Sequence, residues 1–203
     1  MSSTSGTKYR SSIALVIVLI LAATAAVGSA AGSGRGPQDE TETFSALVRH
    51  LGTGPSGQTT FQITISRWTT PEQRESLLET LANEGSDELI VALQQQEETG
   101  FIRVPGRARG TSDRLKYAWQ VREGNQRRII LVADQQLAPF IISGSPRVRG
   151  HQFTIIDLQL DENNTGEGTM WGTARVGYDD EANTITITSL SSQPFKLTNV
   201  RRR

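Results

Sequence analysis

Apolar residues fall on every second position from Phe61 through Ile63 to Ile65, with Gln62 and Thr64 between them. That is the period of a strand with one buried face. Arg67 continues the same parity, so the pattern places a charge at the end of the buried row, where a long side chain snorkels to water. The period then changes. In Thr70-Pro71-Glu72-Gln73, Thr70 is placed to cap the first free amides, Pro71 has no amide to leave unpaired, and Gln73 completes a capping box. A helix is predicted from Pro71 to about Glu84, with Arg74, Leu77, Leu78 and Leu81 on one face and Gly85 at its end. Ser86 is expected to cap a second, shorter helix carrying Leu89, Ile90 and Leu93, with Asp87 and Glu88 in its first turn.

The rest of the chain alternates in twos. Phe44 to Arg49 reads as a strand that pairs with the Phe61 strand through the turn residues Gly52 to Gly57. Beyond the helices, Phe101 to Val104 is a short strand stopped by Pro105-Gly106. Leu115, Tyr117, Trp119 and Val121 share one face of the next, Glu123-Gly124-Asn125 turns the chain, and Arg128 to Ala133 returns. Weaker alternation marks Phe140 to Ile142. Phe153 to Leu160 has apolar residues on both parities, which implies a bulge or burial on both faces. Gly168 to Tyr178, Thr184 to Leu190 and Phe195 to Val200 complete the set. The fold class expected is therefore α+β, mainly β: an antiparallel barrel-like or sandwich sheet of about ten strands, with a helical pair inserted after the second strand.

The first residues read differently. Lys8 and Arg10 precede an apolar run from Ile13 to Val27, interrupted only by Thr24, and small residues follow at Gly28 to Ala31. This is the layout of a signal peptide cleaved after Ala30 or Ala31. The run falls short of the ~20 residues of a spanning helix, so an uncleaved anchor is the alternative. The division expected is a signal peptide over 1–31, a flexible Gly-rich linker over 32–42 and a single mainly-β domain over 43–203. An exported location, periplasmic or secreted, follows from it. With 21 basic and 21 acidic residues overall, and two more acidic than basic once Lys8 and Arg10 are set aside, no nucleic-acid partner is expected. The absence of cysteine rules out disulfides, thiolate metal sites and thiol catalysis.

Candidate chemistry is sparse. His50 and His151 lie in no metal-spaced or nucleophile-spaced motif. Asp161 to Gly166 looks like half a calcium loop, but Gly172 stands where the bidentate acid belongs, and a hairpin loop accounts for the same residues. Asn163-Asn164-Thr165 fits a glycosylation sequon and Asp179-Asp180-Glu181 a solvated turn. Arginines recur at Arg103, Arg107, Arg109, Arg114, Arg127, Arg128, Arg147, Arg149 and Arg201 to Arg203 without segregating into one stretch. No cofactor, metal or catalytic residue is expected. Arg67, Trp68, Tyr117, Trp119 and Arg103 are the candidates for the rim of a ligand or partner site.

Ile65-Ser-Arg-Trp-Thr-Thr-Pro-Glu-Gln-Arg74, Thr99-Gly-Phe-Ile-Arg-Val-Pro105, Phe153-Thr-Ile-Ile-Asp-Leu158, Gly166-Glu-Gly168 and Ser191-Ser-Gln-Pro-Phe-Lys-Leu-Thr-Asn-Val200 resemble a family of uncharacterised exported bacterial proteins. The resemblance spans most of the chain beyond the leader. It implies export and one domain, and it brings no activity or catalytic residues. The expected function is non-catalytic binding of a small ligand or an envelope partner. A structural or interaction role through a sheet edge or the helical pair is the alternative, and a hydrolase without a recognisable motif comes last. Membrane association is expected only if the N-terminal segment stays uncleaved.

Overall fold

A computed structural model describes residues 41–49, 58–103, 112–135, 153–179, 184–189 and 194–203. The expected signal peptide, most of the expected linker, the strand expected near Phe140, and His50 and His151 lie outside them.

The described chain is mainly β, as the alternation predicts. Its strands are β1 (Glu42–Arg49), β2 (Gln58–Ile65), β3 (Gly100–Arg103), β4 (Ser112–Leu115), β5 (Tyr117–Glu123), β6 (Gln126–Ala133), β7 (Phe153–Leu160), β8 (Thr165–Asp179), β9 (Thr184–Ser189) and β10 (Phe195–Arg202). The two helices, α1 (Pro71–Glu84) and α2 (Ser86–Gln95), fall between β2 and β3. One antiparallel sheet runs β4-β3-β2-β1-β10-β8-β7-β6-β5, with β9 paired to β8 alone.

The two end strands of that order, β4 and β5, are consecutive in the chain and separated only by Lys116. Lys116 N–H donates to the Val132 carbonyl of β6 (2.9 Å), while the Leu115 carbonyl accepts from Thr99 N–H beside β3 (2.8 Å). The chain thus leaves one edge of the sheet and joins the other, which nearly closes a barrel. This corner corrects the expectation of one continuous strand from Leu115 to Val121. Leu115 and Ala118 both enter the barrel core, whereas Tyr117 packs on the opposite face. The unbroken alternation in the sequence conceals a change of side at Lys116.

Inside the barrel, inward positions of all the strands except β9 interdigitate: Phe44 and Val48, Phe61 and Ile63, Ile102, Leu115, Ala118, Ile129 and Leu131, Ile156 and Leu158, Met170, Leu197 and Val200. The interior is a packed core. Two bulges keep the facing correct. In β10, the four residues from Leu197 to Val200 oppose three on β8, Gly168 to Gly166, and Asn199 takes a left-handed conformation (φ 51°) so that both Leu197 and Val200 point inward. In β8, Trp171 to Ala174 opposes Ile155 to Phe153 with one residue extra. Trp171 and Ala174 therefore both face outward. Thr154 Oγ donates toward the Gly172 carbonyl within that bulge (3.2 Å). β7 is buried on both faces, which explains its mixed parity.

A second core lies outside the barrel, where α1 and α2 cover β7 and the far half of β8. The far half of β8 continues past β10 to pair with β9: Ala174 stands opposite Phe153 on one side and Ser189 on the other. The resulting β8–β9 hairpin stands beside the helices.

One barrel end is filled by an ion pair. Arg127, only 3 % exposed, sends Nη1 and Nη2 to the two carboxylate oxygens of Glu42 (both 2.8 Å). Its Nε donates to Gln120 Oε1 (2.8 Å) and Nη1 also reaches Asn164 Oδ1 (3.0 Å). The guanidinium sits over the rings of Trp68 and Phe44, 5.4 and 5.9 Å from their centroids. Glu42, the last residue of the expected linker, is thus the buried first residue of β1.

Candidate functional site

The helix pair owes its position to local chemistry. Thr70 Oγ accepts from Gln73 N–H (3.2 Å) and Gln73 Oε1 accepts from Thr70 N–H (3.0 Å), the reciprocal capping box anticipated from sequence. Glu72 lies in the first turn, its carboxyl held below the ordinary range by its own backbone amide and by Thr70. Gly85, at φ 92°, ends α1 and serves as N-cap of α2. Ser86 does not cap α2. It is the first helical residue, and its hydroxyl accepts from Val176 N–H of β8 (3.4 Å). At the other end of α2, Lys116 Nζ donates to the carbonyls of Gln96 (2.8 Å) and Gln94 (3.3 Å), so the barrel corner supplies the cation that the helix C-terminus lacks.

Between this pair and the outer face of the sheet runs a cleft of about 100 Å³, open to solvent on one side. α1 contributes Leu77, Leu78 and Leu81, and α2 contributes Leu89 and Leu93. The floor is the outward parity of β5, β6 and β7, including Trp119, Val132 and Ile155. Ile185 and Ile187 of β9 close one flank. Among the described residues, Arg74 is the one charged residue in the lining.

Arg74 lies one turn before Leu77 and Leu78 on the same helical face, with its guanidinium 5.1 Å from the centre of the Trp119 ring. No carboxylate pairs with it among the described residues. Tyr117 shares the lining. Burial pushes its phenol up to about 12, against the opposing pull of the neighbouring Arg74 charge.

The five rim candidates thus part company. Tyr117 and Trp119 meet in the cleft, on the outside of the barrel. Trp68 turns into the barrel core beneath Arg127. Arg67 leaves the buried row: Ser66 and Arg67 N–H groups both donate to the Thr99 carbonyl (2.9 and 3.2 Å), and this irregularity lets Trp68 take the inward place. The Arg67 guanidinium then pairs with Glu97. Arg103 lies on an exposed strand face and donates to Gln62 Oε1 (2.7 Å). Sequence reasoning placed Arg74 on the right helical face but did not connect it with Tyr117 and Trp119. Its lone positive charge within an otherwise leucine-lined helix face was the available signal.

The acidic loop is occupied by its own turn. The Asp161 carboxylate accepts from the backbone N–H groups of Asn163 and Thr165 (2.9 Å each) and from Thr165 Oγ (2.8 Å). These bonds, those to Thr165 foremost, lower its pKa. Asn164, at φ 55°, completes the turn. Among the described residues, no three His, Cys, Asp or Glu side chains gather to hold a metal ion. No family model, curated protein or solved structure matches the chain.

Proposed function

We propose that this is an exported binding domain that holds a small, largely apolar ligand between its helix pair and the outer face of its barrel. The observation that carries the reading is the leucine- and isoleucine-walled cleft, open on one side, beside a barrel whose own interior is filled. Apolar concavities of this kind are the ordinary place for a small ligand. An enclosed apolar cavity of ~150 Å³ accepts a benzene ring, so a site of about 100 Å³ with an open side suits one ring or a short alkyl chain. Export rests on the N-terminal charge and apolar pattern, with cleavage near Ala30 or Ala31.

Hexanol is a suitable probe. Burying its chain at ~0.8 kcal/mol per methylene gives about 4–5 kcal/mol before the entropy of association, so the expected Kd is about 1 mM or weaker. Backbone amide shifts followed through a hexanol titration should saturate for the wild type. Leu78→Gln, which introduces an amide at a partly exposed lining position, should weaken binding at least several-fold while leaving the circular dichroism spectrum unchanged. Shifts that never saturate, or equal affinity in a folded Leu78→Gln protein, would remove the basis for the proposal.

A further inference from the structure

We infer that the ligand of this cleft is an amphiphile with an acidic head, its apolar part between the helices and the sheet and its carboxylate on Arg74. The inference rests on the cleft being a ligand site and concerns what the site selects. Three observations combine. Among the described residues the lining carries a single charged group, Arg74, on the helical face that also presents Leu77, Leu78 and Leu81. That guanidinium has no carboxylate partner among the described residues. It is also positioned at the cleft, its guanidinium 5.1 Å from the Trp119 ring centre and beside the Tyr117 hydroxyl, and its five N–H donors are more than one hydroxyl can engage. Three other arginines among the described residues that are at least partly buried are engaged, Arg127 with Glu42, Arg128 with Asp157 and Arg67 with Glu97. Tyr117, beside Arg74 and half-buried, offers a neutral hydroxyl as a further donor to the same head group.

A planar carboxylate matches the fork of a guanidinium, and the leucine walls match a short chain or ring attached to it. A purely apolar ligand would leave the cation unanswered, and a highly charged one would leave the leucines uncovered. The chemistry therefore points to a small monocarboxylate with an apolar tail. The rival explanation is that Arg74 merely lays its methylenes over Trp119 as cover. In that case the charge has no part in selection.

Hexanoate and hexanol, identical in chain but not in head, separate these readings. Titrated at neutral pH and low salt with backbone amide shifts as the readout, hexanoate should bind the wild type about fivefold more tightly than hexanol, the scale of a partly exposed ion pair. Added salt should narrow the gap. In Arg74→Gln the preference should reverse, because an unpaired carboxylate is costly to place beside leucines. Arg74→Lys should keep part of the preference, which separates charge from packing. Equal binding of the two probes to the wild type, or an undiminished hexanoate preference in Arg74→Gln, overturns the acidic-head assignment and leaves the cleft reading in place. Failure of both probes to saturate overturns both.

Discussion

Two charged or ionisable side chains, Arg127 and Tyr117, sit where bare sequence would not put them, and each has a measurable consequence. Arg127 spans the barrel interior to Glu42, joining β6 to β1, which are not neighbours in the sheet. A buried pair of this kind adds little net stability over an apolar replacement, but removing one partner strands the other charge. Glu42→Ala should therefore cost about 3–5 kcal/mol in denaturant unfolding. The double variant Glu42→Leu with Arg127→Met should recover most of that loss. A cost below about 1 kcal/mol for Glu42→Ala would mean that the Arg127 charge reaches water. Tyr117 gives a pH dependence. Its phenol ionises near 10 in the unfolded chain and near 12 when folded. The folded state thus holds the proton more tightly, and the stability it gains is complete below pH 10 and lost between about pH 10 and 12. The loss is about 2–3 kcal/mol by proton linkage. Phenolate absorbance should show one late-titrating tyrosine that Tyr117→Phe removes. An unchanged titration in that variant would contradict the placement of Tyr117.

At the scale of elements, the strand-to-helix junction is where sequence and structure meet most closely. Period-2 alternation, a capping box and a glycine stop are local signals, and the local backbone obeys them: α1 begins at Pro71 and ends at Glu84, before Gly85. Thr70→Ala should lower stability by about 1 kcal/mol. In a domain of this size that is a fall of about 2–4 °C in Tm. No fall in Tm would mean that the cap bond is not formed in solution. Signals that depend on a partner strand were harder to read. Leu115 and Tyr117 share a parity in sequence yet face opposite sides, because the turn of the chain at Lys116 is set by pairing with β3 and β6. The bulge at Asn199 is likewise a matter of register with β1 and β8. Arg67 looked like the end of a buried row and Trp68 like a rim. Their exchange depends on a carbonyl, that of Thr99, supplied from the far side of the helix pair.

For the whole molecule, the cleft lies on the outside of a filled barrel. Tyr117 and Trp119, expected from sequence at the rim of a site, line that outer cleft. The interior is instead closed by its own side chains and by the Glu42–Arg127 pair. The helix pair, inserted after β2, covers the apolar outer face of β7 and β8 and leaves room over β5 and β6. The helical insertion is what turns a packed barrel into a protein with a cleft. That claim is tested most directly by intermolecular nuclear Overhauser contacts between bound hexanol and assigned protein methyl groups. The contacts should run to Leu78, Val132 and Ile187, on α1, β6 and β9. Contacts confined to barrel-interior methyls such as Ile63 and Leu197, or to no methyls at all under saturating hexanol, would contradict it.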